Sequence, residues 1–264
     1  MDYTKVKRYI VLGILFLLPV TFLLFLYPAT HNYSPLDIVN ENVLDLQHFS
    51  SDDEEDIVLK DHITVLGFLG EKPMDNLIAA SNLKELVYDK FKGFKRFQVV
   101  IVVPNGTQEA TELLKKEISS YEDTRFWHFV YGDPQDINAV FNSLKSNVSL
   151  NPDLASNAVF IIDKDLNQRG RIDDRKDYEI AKKKPIYGLN SYDCISVDDI
   201  QNKMGEDMRI LFTEYRQKRK GNFDSSIRRA NDIKKQDETS MRDEGDIHEH
   251  DVILDVPAIK KYKF

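Results

Sequence analysis

Residues 65–75 read VLGFLGEKPMD, and the chemistry of this stretch decides the fold that the rest of the sequence predicts. An apolar run ends at a glycine, a short polar turn follows, and Pro73 precedes a segment with helical periodicity. A short apolar run is typical of a buried strand, and proline favours the first turn of a helix. The stretch therefore predicts a strand at Ile63–Leu69 that passes directly into a helix.

The alternation of strand and helix continues downstream of this junction. Apolar runs predict three more buried strands, at residues 97–103, 126–131 and 158–162. The charged segment Arg169–Asp173 predicts a short return strand at the sheet edge, and a long helix is expected from Ser196. This order indicates parallel strands with helices on both faces and an antiparallel end. We predict an α/β domain over residues 61–220, with a thioredoxin-like central sheet flanked by helices.

A membrane segment is predicted at the N-terminus. Ile10–Tyr27 contains 18 residues without a charge, which is close to the length that crosses a bilayer. Lys5, Lys7 and Arg8 precede it, so the positive-inside rule places the N-terminus in the cytoplasm. Residues 1–27 are therefore predicted to be a cytoplasmic stub and a transmembrane signal anchor, in contact with the membrane through residues 10–27. A cleaved signal peptide is the alternative.

Two polar segments flank the predicted domain. Residues 28–60 are polar and acidic, and they predict a linker between anchor and domain. Residues 221–264 hold ten acidic and eight basic side chains, which predicts a mostly disordered tail. The apolar side chains of the last stretch are suited to docking on a partner or on the domain itself; they are Val252, Ile253, Leu254, Val256 and Ile259.

Composition and motifs exclude several functions. The formal net charge is −8 and no basic stripe is present, which argues against a nucleic-acid partner. Cys194 is the single cysteine, so no intrachain disulfide can form. The sequence has no P-loop, dinucleotide fingerprint or Ser-His-Asp set. We therefore predict that the protein is not an enzyme.

Three stretches resemble the SCO/SenC family of membrane-anchored copper chaperones. They are the junction FLGEKPMDN, the strand and turn AVFIIDKDLNQRGRI, and the helix DDIQNKMGEDMRILFTEYR. The resemblance covers about residues 61–220. It implies a thioredoxin-like fold, a bacterial inner-membrane location with a single pass and a domain in the periplasm.

The ligand signature of that family is missing from this sequence. The resemblance implies two cysteines separated by three residues at the junction and a histidine before the fourth strand, a set suited to Cu(I). In this chain Lys72-Pro73 matches the first cysteine-proline pair, and the second cysteine position falls at Asn76. The histidine position falls near Leu154 or Ala155. The chain is thus identified as a degenerate member without redox chemistry or a copper cofactor.

A dense charged cluster, QRGRIDDR, follows the fourth predicted strand. It contains Arg169, Arg171, Asp173, Asp174 and Arg175. Alternating signs favour a solvated ion-pair network, and the alternative is a docking surface for a protein partner, since guanidinium groups bind carboxylates in a fixed geometry.

Other candidate groups are isolated. Cys194 precedes the last helix beside several aspartates, which favours an unreactive structural thiol over a nucleophile. His248 and His250 are weak candidates for Cu(II) or Zn(II), with a solvated tail as the alternative. His62 and His128 are interpreted as structural.

The sequence therefore predicts a membrane-anchored binding or assembly factor for a respiratory or envelope complex. The alternatives are a copper chaperone or thiol oxidoreductase for cytochrome oxidase assembly, and a structural subunit of a membrane complex.

Overall fold

A computed structural model describes the backbone of residues 3–26, 35–52, 56–119 and 123–221. In the first of these ranges it describes the side chains of residues 7–8 and 11–22. The predictions for the tail, including His248 and His250, and for linker residues 28–34 lie outside the described residues. The chain divides into two units, Met1–Ser34 and Pro35–Phe264.

In the described part of the first unit the chain forms a helix, α1, at Tyr3–Leu26, with Pro19 inside it. The hydroxyl of Thr21 donates to the backbone carbonyl of Leu17 at 2.9 Å, so this polar group is satisfied within the helix. Where the structure describes residues in full, no helix is both long enough and apolar enough to cross a membrane.

The second unit alternates strands and helices. Its strands are β1 at Asp37–Asn40, β2 at Ser50–Ser51, β3 at Ile63–Leu69, β4 at Phe97–Pro104, β5 at Trp127–Gly132, β6 at Ala155–Ile162, β7 at Gln168–Gly170 and β8 at Tyr192–Asp193. Its helices are α2 at Leu77–Leu83, α3 at Asp89–Phe91, α4 at Gln108–Ile118, α5 at Pro134–Asn142, α6 at Asp177–Ala181 and α7 at Gly205–Arg219. A 3₁₀ turn at Pro73–Asn76 precedes α2, and π-helical turns at Lys84–Tyr88 and Asp199–Met204 precede α3 and α7.

Within the described ranges the strands form one mixed sheet in the order β1-β7-β6-β3-β4-β5-β2, and β8 also pairs with β6. The pairs β3–β4 and β4–β5 are parallel, whereas β6 runs antiparallel to β3 and β7 antiparallel to β6. The predicted parallel centre with an antiparallel end is therefore present, and the central sheet is flanked by helices.

The two faces of the sheet carry separate cores because side chains alternate along each strand. Val65 and Leu69 of β3 face the core that includes side chains of α2, α4 and α7. Leu66 and Phe68 face the core that includes side chains of α5. The rings of Phe68 and Phe141 meet edge to face, with their centroids 5.2 Å apart.

The prediction of a polar linker is wrong for residues 35–52 and 56–60. Strand β1 pairs with β7 and β2 pairs with β5, so this segment extends the sheet at both edges. Val43, Leu46 and Leu59 are buried in the core on the α5 face. Acidic residues surround these apolar positions in the sequence and conceal their regularity, which is why composition indicated a spacer.

The predicted edge strand at Arg169–Asp173 is corrected in the same way. Strand β7 ends at Gly170 and lies between β6 and β1, so β1 forms the edge. Gly170 leaves room for the carbonyl of Leu189, which a Cβ at this position would approach to 2.3 Å.

Arg169 is fully buried and joins four parts of the fold. Its Nη1 donates to Asp163 Oδ2 at 2.9 Å, in the β6–β7 turn. Its Nη2 donates to Glu214 Oε2 of α7 at 2.6 Å and to the carbonyl of Leu36, before β1, at 2.7 Å. One guanidinium therefore connects β7, the β6–β7 turn, α7 and the start of the N-terminal segment.

We predict that R169M lowers the free energy of unfolding by about 3–5 kcal/mol, because it leaves two buried carboxylates without their counter-charge. Urea unfolding of the full chain measures the change. R125A is the matched control, since the Arg125–Asp123 pair is exposed and such pairs contribute less than about 1 kcal/mol.

The variant R169M/D163N/E214Q separates charge from packing. Because it removes the unpaired carboxylates, it is expected to be more stable than R169M. If R169M and R125A unfold at the same urea concentration, the proposed role of Arg169 is wrong.

Candidate functional site at the strand-to-helix junction

The junction keeps a defined backbone without any sulfur ligand. Strand β3 ends at Leu69, and Gly70 follows with φ +68°, a left-handed conformation that glycine adopts without strain. Pro73 is the first residue of the 3₁₀ turn, as its restricted φ and missing N–H favour. The side-chain amide of Asn76 donates back to the carbonyl of Leu69 at 2.9 Å and closes the turn.

The loop before β6 packs directly against this turn. The backbone N–H of Glu71 donates to the carbonyl of Asp153 at 2.8 Å, and Lys72 Nζ lies 3.5 Å from Asp153 Oδ2. A Cβ on Gly70 would lie 2.3 Å from that same carbonyl oxygen, so the close approach requires glycine. Leu154 also has a left-handed backbone, with φ +62°.

The structure therefore brings together the sequence positions that the family resemblance assigns to ligands. Lys72 and Asn76 lie on one side, and residues 153–155 lie on the other. Their side chains offer an ammonium group, an amide, a carboxylate and alkyl groups, none of which is a soft ligand for Cu(I). Among the described residues, no group of three or more His, Cys, Asp or Glu side chains is placed to hold a metal ion.

A polar cavity of about 480 Å³ opens beside the junction. It is lined by Asn76, Val148, Ser149, Asn151, Ala155, Ser156, Asn157, Ala158, Ser191, Asp193 and Asp199. Asp199 pairs with Lys203 at 3.0 Å, and Asp193 accepts a hydrogen bond from the N–H of Ile195 at 2.9 Å. The lining of amides, hydroxyls and two engaged carboxylates is suited to a neutral, hydrogen-bonding group such as a peptide backbone.

Cys194 lies near this site in space although it is distant in sequence. Its thiol is buried and borders a small gap beneath α2 that is also lined by Leu69 and Ala79. Its N–H donates to the carbonyl of Asn157 at 2.8 Å, and its own carbonyl accepts from Asn82 Nδ2 at 3.0 Å. Burial, followed by the charge of Asp193, raises the pKa of the Cys194 thiol to about 12. These are the surroundings of an unreactive structural thiol.

The charged cluster after β6 is an internal network. Arg169 is buried, so its prediction as a docking residue is wrong. Arg171 donates to Asp207 at 2.8–3.1 Å and to Asp174 at 2.9 Å, and these carboxylates raise the pKa of its guanidinium against the effect of burial.

The rest of the cluster is also committed to intramolecular contacts. Arg175 donates to both carboxylate oxygens of Asp173, from Nη2 to Oδ2 at 2.7 Å and from Nε to Oδ1 at 2.9 Å. Asp207 additionally accepts from the hydroxyl of Tyr192 at 2.7 Å. The ion-pair network is thus the interpretation that fits, although the network is half-buried instead of solvated.

Three residues that contact the junction or the buried arginines are not among the predicted site residues; they are Asp153, Asp207 and Glu214. Asp207 and Glu214 are both buried and are spaced seven residues apart on α7, which puts them on the same face of the helix. Two carboxylates at this spacing, next to the apolar stripe of α7, indicate in the sequence that buried arginines pack against this helix. Asp153 lies in the turn sequence NPDL, which indicates a turn but gives no sign of contact with the junction.

The fold and the junction define an α/β protein with a mixed central sheet flanked by helices. A search of solved structures found several Sco proteins among those similar to the chain. No family model matches the chain, and no curated protein matches it.

Three of the similar structures illustrate the comparison. BsSco, whose study describes a disulfide switch in a member of the Sco family of cytochrome c oxidase assembly proteins, has 13% sequence identity and a TM-score of 0.45, with 69% of this chain and 99% of that chain covered. Apo Sco1 from Thermus thermophilus has 14% identity and a TM-score of 0.39, with 69% and 97% covered. Copper-bound ScoI from Bradyrhizobium japonicum has 12% identity and a TM-score of 0.36, with 65% and 99% covered.

We predict that Cys194 in the folded protein does not react with maleimide at pH 8, because the thiol is buried and only the thiolate is nucleophilic. Mass spectrometry of the labelled chain measures the reaction, and full labelling in denaturant is the control. Rapid labelling of the native chain would show that the thiol is accessible.

The raised pKa also predicts a pH dependence of stability. The thiol contributes stability below its ordinary pKa of 9.0, and this contribution is lost as the pH rises to about 12. Between these pH values the unfolding midpoint of the wild type is expected to fall more steeply than that of C194A.

Proposed function

We propose that the protein is a membrane-anchored, periplasmic member of the SCO/SenC type that binds a protein partner without redox or copper chemistry and assists the assembly of a respiratory or envelope complex. The sequence resemblance over residues 61–220 supports the family, and the uncharged run at residues 10–27 supports the anchor. The observation that supports the absence of redox and copper chemistry is the junction, where Lys72 contacts Asp153 and Asn76 closes the turn.

The junction is suited to binding because its backbone conformation is fixed. Gly70, Pro73 and Asn76 fix the backbone between β3 and α2, and the 153–155 loop packs against it. A turn held in one conformation needs little ordering when a partner binds. The adjacent polar cavity supplies hydrogen-bonding groups for a peptide backbone. The pair Lys72–Asp153 is exposed enough to contact a partner.

The alternative is a copper chaperone or thiol oxidoreductase for cytochrome oxidase assembly; the family of BsSco is described as cytochrome c oxidase assembly proteins. This alternative requires Cys194 or the histidines of the tail to supply the ligands. The burial of Cys194 and its raised pKa weigh against a thiolate ligand at neutral pH. A structural subunit is the third possibility, and for it the anchor and the tail are the main functional parts.

We predict that the full chain in detergent binds no stoichiometric Cu(I), and that K72C/N76C/L154H binds one Cu(I) per chain. The substitutions place two thiols and an imidazole on the two segments that the fold brings together, and these are ligands that Cu(I) favours. Titration against a chromophoric Cu(I) chelator measures both proteins. K72S/N76S/L154H is the matched control, because it keeps the imidazole and the polar side chains but has no soft ligand at the junction.

Two results would contradict this proposal. Binding of one Cu(I) by the wild type that is lost in C194A would favour the copper chaperone. A stable membrane complex that co-purifies with the wild type and is lost only on deletion of Val252–Phe264 would favour the structural subunit.

A further inference from the structure

A basic groove lies at the end of β3 opposite the junction. Ile63, the first residue of β3, lines the groove, whereas Leu69 lies at the junction, about 20 Å away along the strand. The groove has a volume of about 770 Å³ and is lined by Ile63, Gly93, Phe94, Lys95, Lys164, Phe212, Tyr215, Arg216, Lys218 and Arg219. Five of these residues are cationic and none is acidic.

Aromatic rings form an apolar surface in the groove. Phe94 and Phe212 stack with their centroids 4.1 Å apart. The ammonium groups of Lys164 and Lys218 lie 5.0 and 4.7 Å from the centroid of the Tyr215 ring. The groove therefore offers apolar contact between positive charges, which suits a segment that carries both carboxylates and apolar side chains.

The positive charge of the groove is only partly compensated. Lys218 pairs with Glu214 at 3.0 Å, and Asp61 and Asp165 act on Lys164 from outside the lining. In the described ranges, the other cationic side chains of the lining have no carboxylate within ion-pair distance; they are Lys95, Lys164, Arg216 and Arg219. Burial lowers the pKa of Lys164, and the nearby charges of Arg96 and Arg219 lower it further. An anionic ligand would relieve this repulsion.

One segment of the chain has the complementary chemistry. Residues 243–255, DEGDIHEHDVILD, contain six acidic side chains and no lysine or arginine. The same segment has apolar side chains at Ile247, Val252, Ile253 and Leu254. The other acidic run, at residues 52–56, has no apolar side chain, and Asp52 already accepts a hydrogen bond from Tyr131 at 2.7 Å.

The path of the chain also favours this segment. The last turn of α7 contributes Arg216, Lys218 and Arg219 to the groove, and the described chain ends two residues later at Gly221. The intervening 21 residues, 222–242, can reach up to about 70 Å when extended. Covalent attachment makes docking intramolecular, which raises the effective concentration of the segment.

We propose that residues 243–255 dock in the basic groove of the same chain, with carboxylates against the cationic rim and apolar side chains against the aromatic surface. The groove is therefore a second interaction surface, separate from the junction. An acidic partner that binds there has to displace this segment, so docking of the tail restricts access to the groove.

Carbodiimide cross-linking of the full chain in detergent tests the proposal, since it joins lysines to neighbouring carboxylates. We expect cross-links from Lys95, Lys164 or Lys218 to residues 243–255. An equal mixture of ¹⁴N- and ¹⁵N-labelled chains identifies them as intramolecular. Charge reversal in R216E/R219E should reduce their yield at least about tenfold, because several exposed ion pairs are lost while the reactive lysines remain.

The matched control is K182E/K183E, which reverses two exposed lysines of the α6 region and should leave the yield unchanged. A second readout avoids cross-linking. Deletion of residues 243–255 should speed hydrogen exchange in the last turn of α7, and circular dichroism should show that the helices of each variant are retained.

Several outcomes would overturn the proposal. Cross-links only between differently labelled chains would assign the groove to a second copy. Equal cross-linking of the acidic residues at 224–238 would show unspecific attraction. Binding of phosphatidylglycerol vesicles that is lost in R216E/R219E but unchanged by deletion of 243–255 would assign the groove to lipid.

Discussion

The buried guanidinium of Arg169 is the interaction on which the rest of the second unit depends. A buried charge is stable only when it is paired and hydrogen-bonded, and here Asp163, Glu214 and the Leu36 carbonyl accept from the two terminal nitrogens of the guanidinium. Among the described residues its Nε has no hydrogen-bond acceptor. Asp163 also accepts hydrogen bonds from the backbone N–H groups of Asp165 and Asn167, at 2.9 and 3.0 Å. The same carboxylate therefore closes the β6–β7 turn and neutralises the charge of Arg169. One side chain therefore contacts both α7 and the residue that precedes β1.

The sequence predicts the centre of the sheet well and its periphery poorly. Strands β3 and β4 are continuous apolar runs covered on both faces, and this pattern has few alternative interpretations. Arg169 was placed at an exposed edge because charged residues usually lie there. Its burial depends on Glu214, which is 45 residues away, and a charge pattern within one segment contains no information about such a partner. The prediction of a linker fails at residues 35–52 and 56–60 for the same reason, because the apolar side chains of this segment pack into cores that later strands and helices form.

The candidate site was predictable in position but not in construction. The glycine and proline of the junction indicate a turn between strand and helix, and the structure contains one at that place. The contact between Glu71 and the carbonyl of Asp153 joins segments 82 residues apart, and it places Lys72 beside an aspartate that no sequence pattern singles out. Because Lys72 is already paired with Asp153, a partner gains from this lysine chiefly through geometry and hydrogen bonding.

The two ends of β3 differ in their charge, and we infer that they bind different kinds of ligand. At its carboxyl end the backbone is fixed by Gly70, Pro73 and Asn76, and Lys72 is paired with Asp153. At its amino end five cationic side chains line a groove with aromatic rings, and among the described residues only Lys218 of the five has a carboxylate within ion-pair distance. A rigid surface selects a ligand by shape, whereas a groove with incompletely compensated charge attracts any acidic segment and gains specificity only from its apolar contacts. In the proposed docking, one acidic segment of the chain's own tail supplies both the carboxylates and the apolar side chains that such a groove favours.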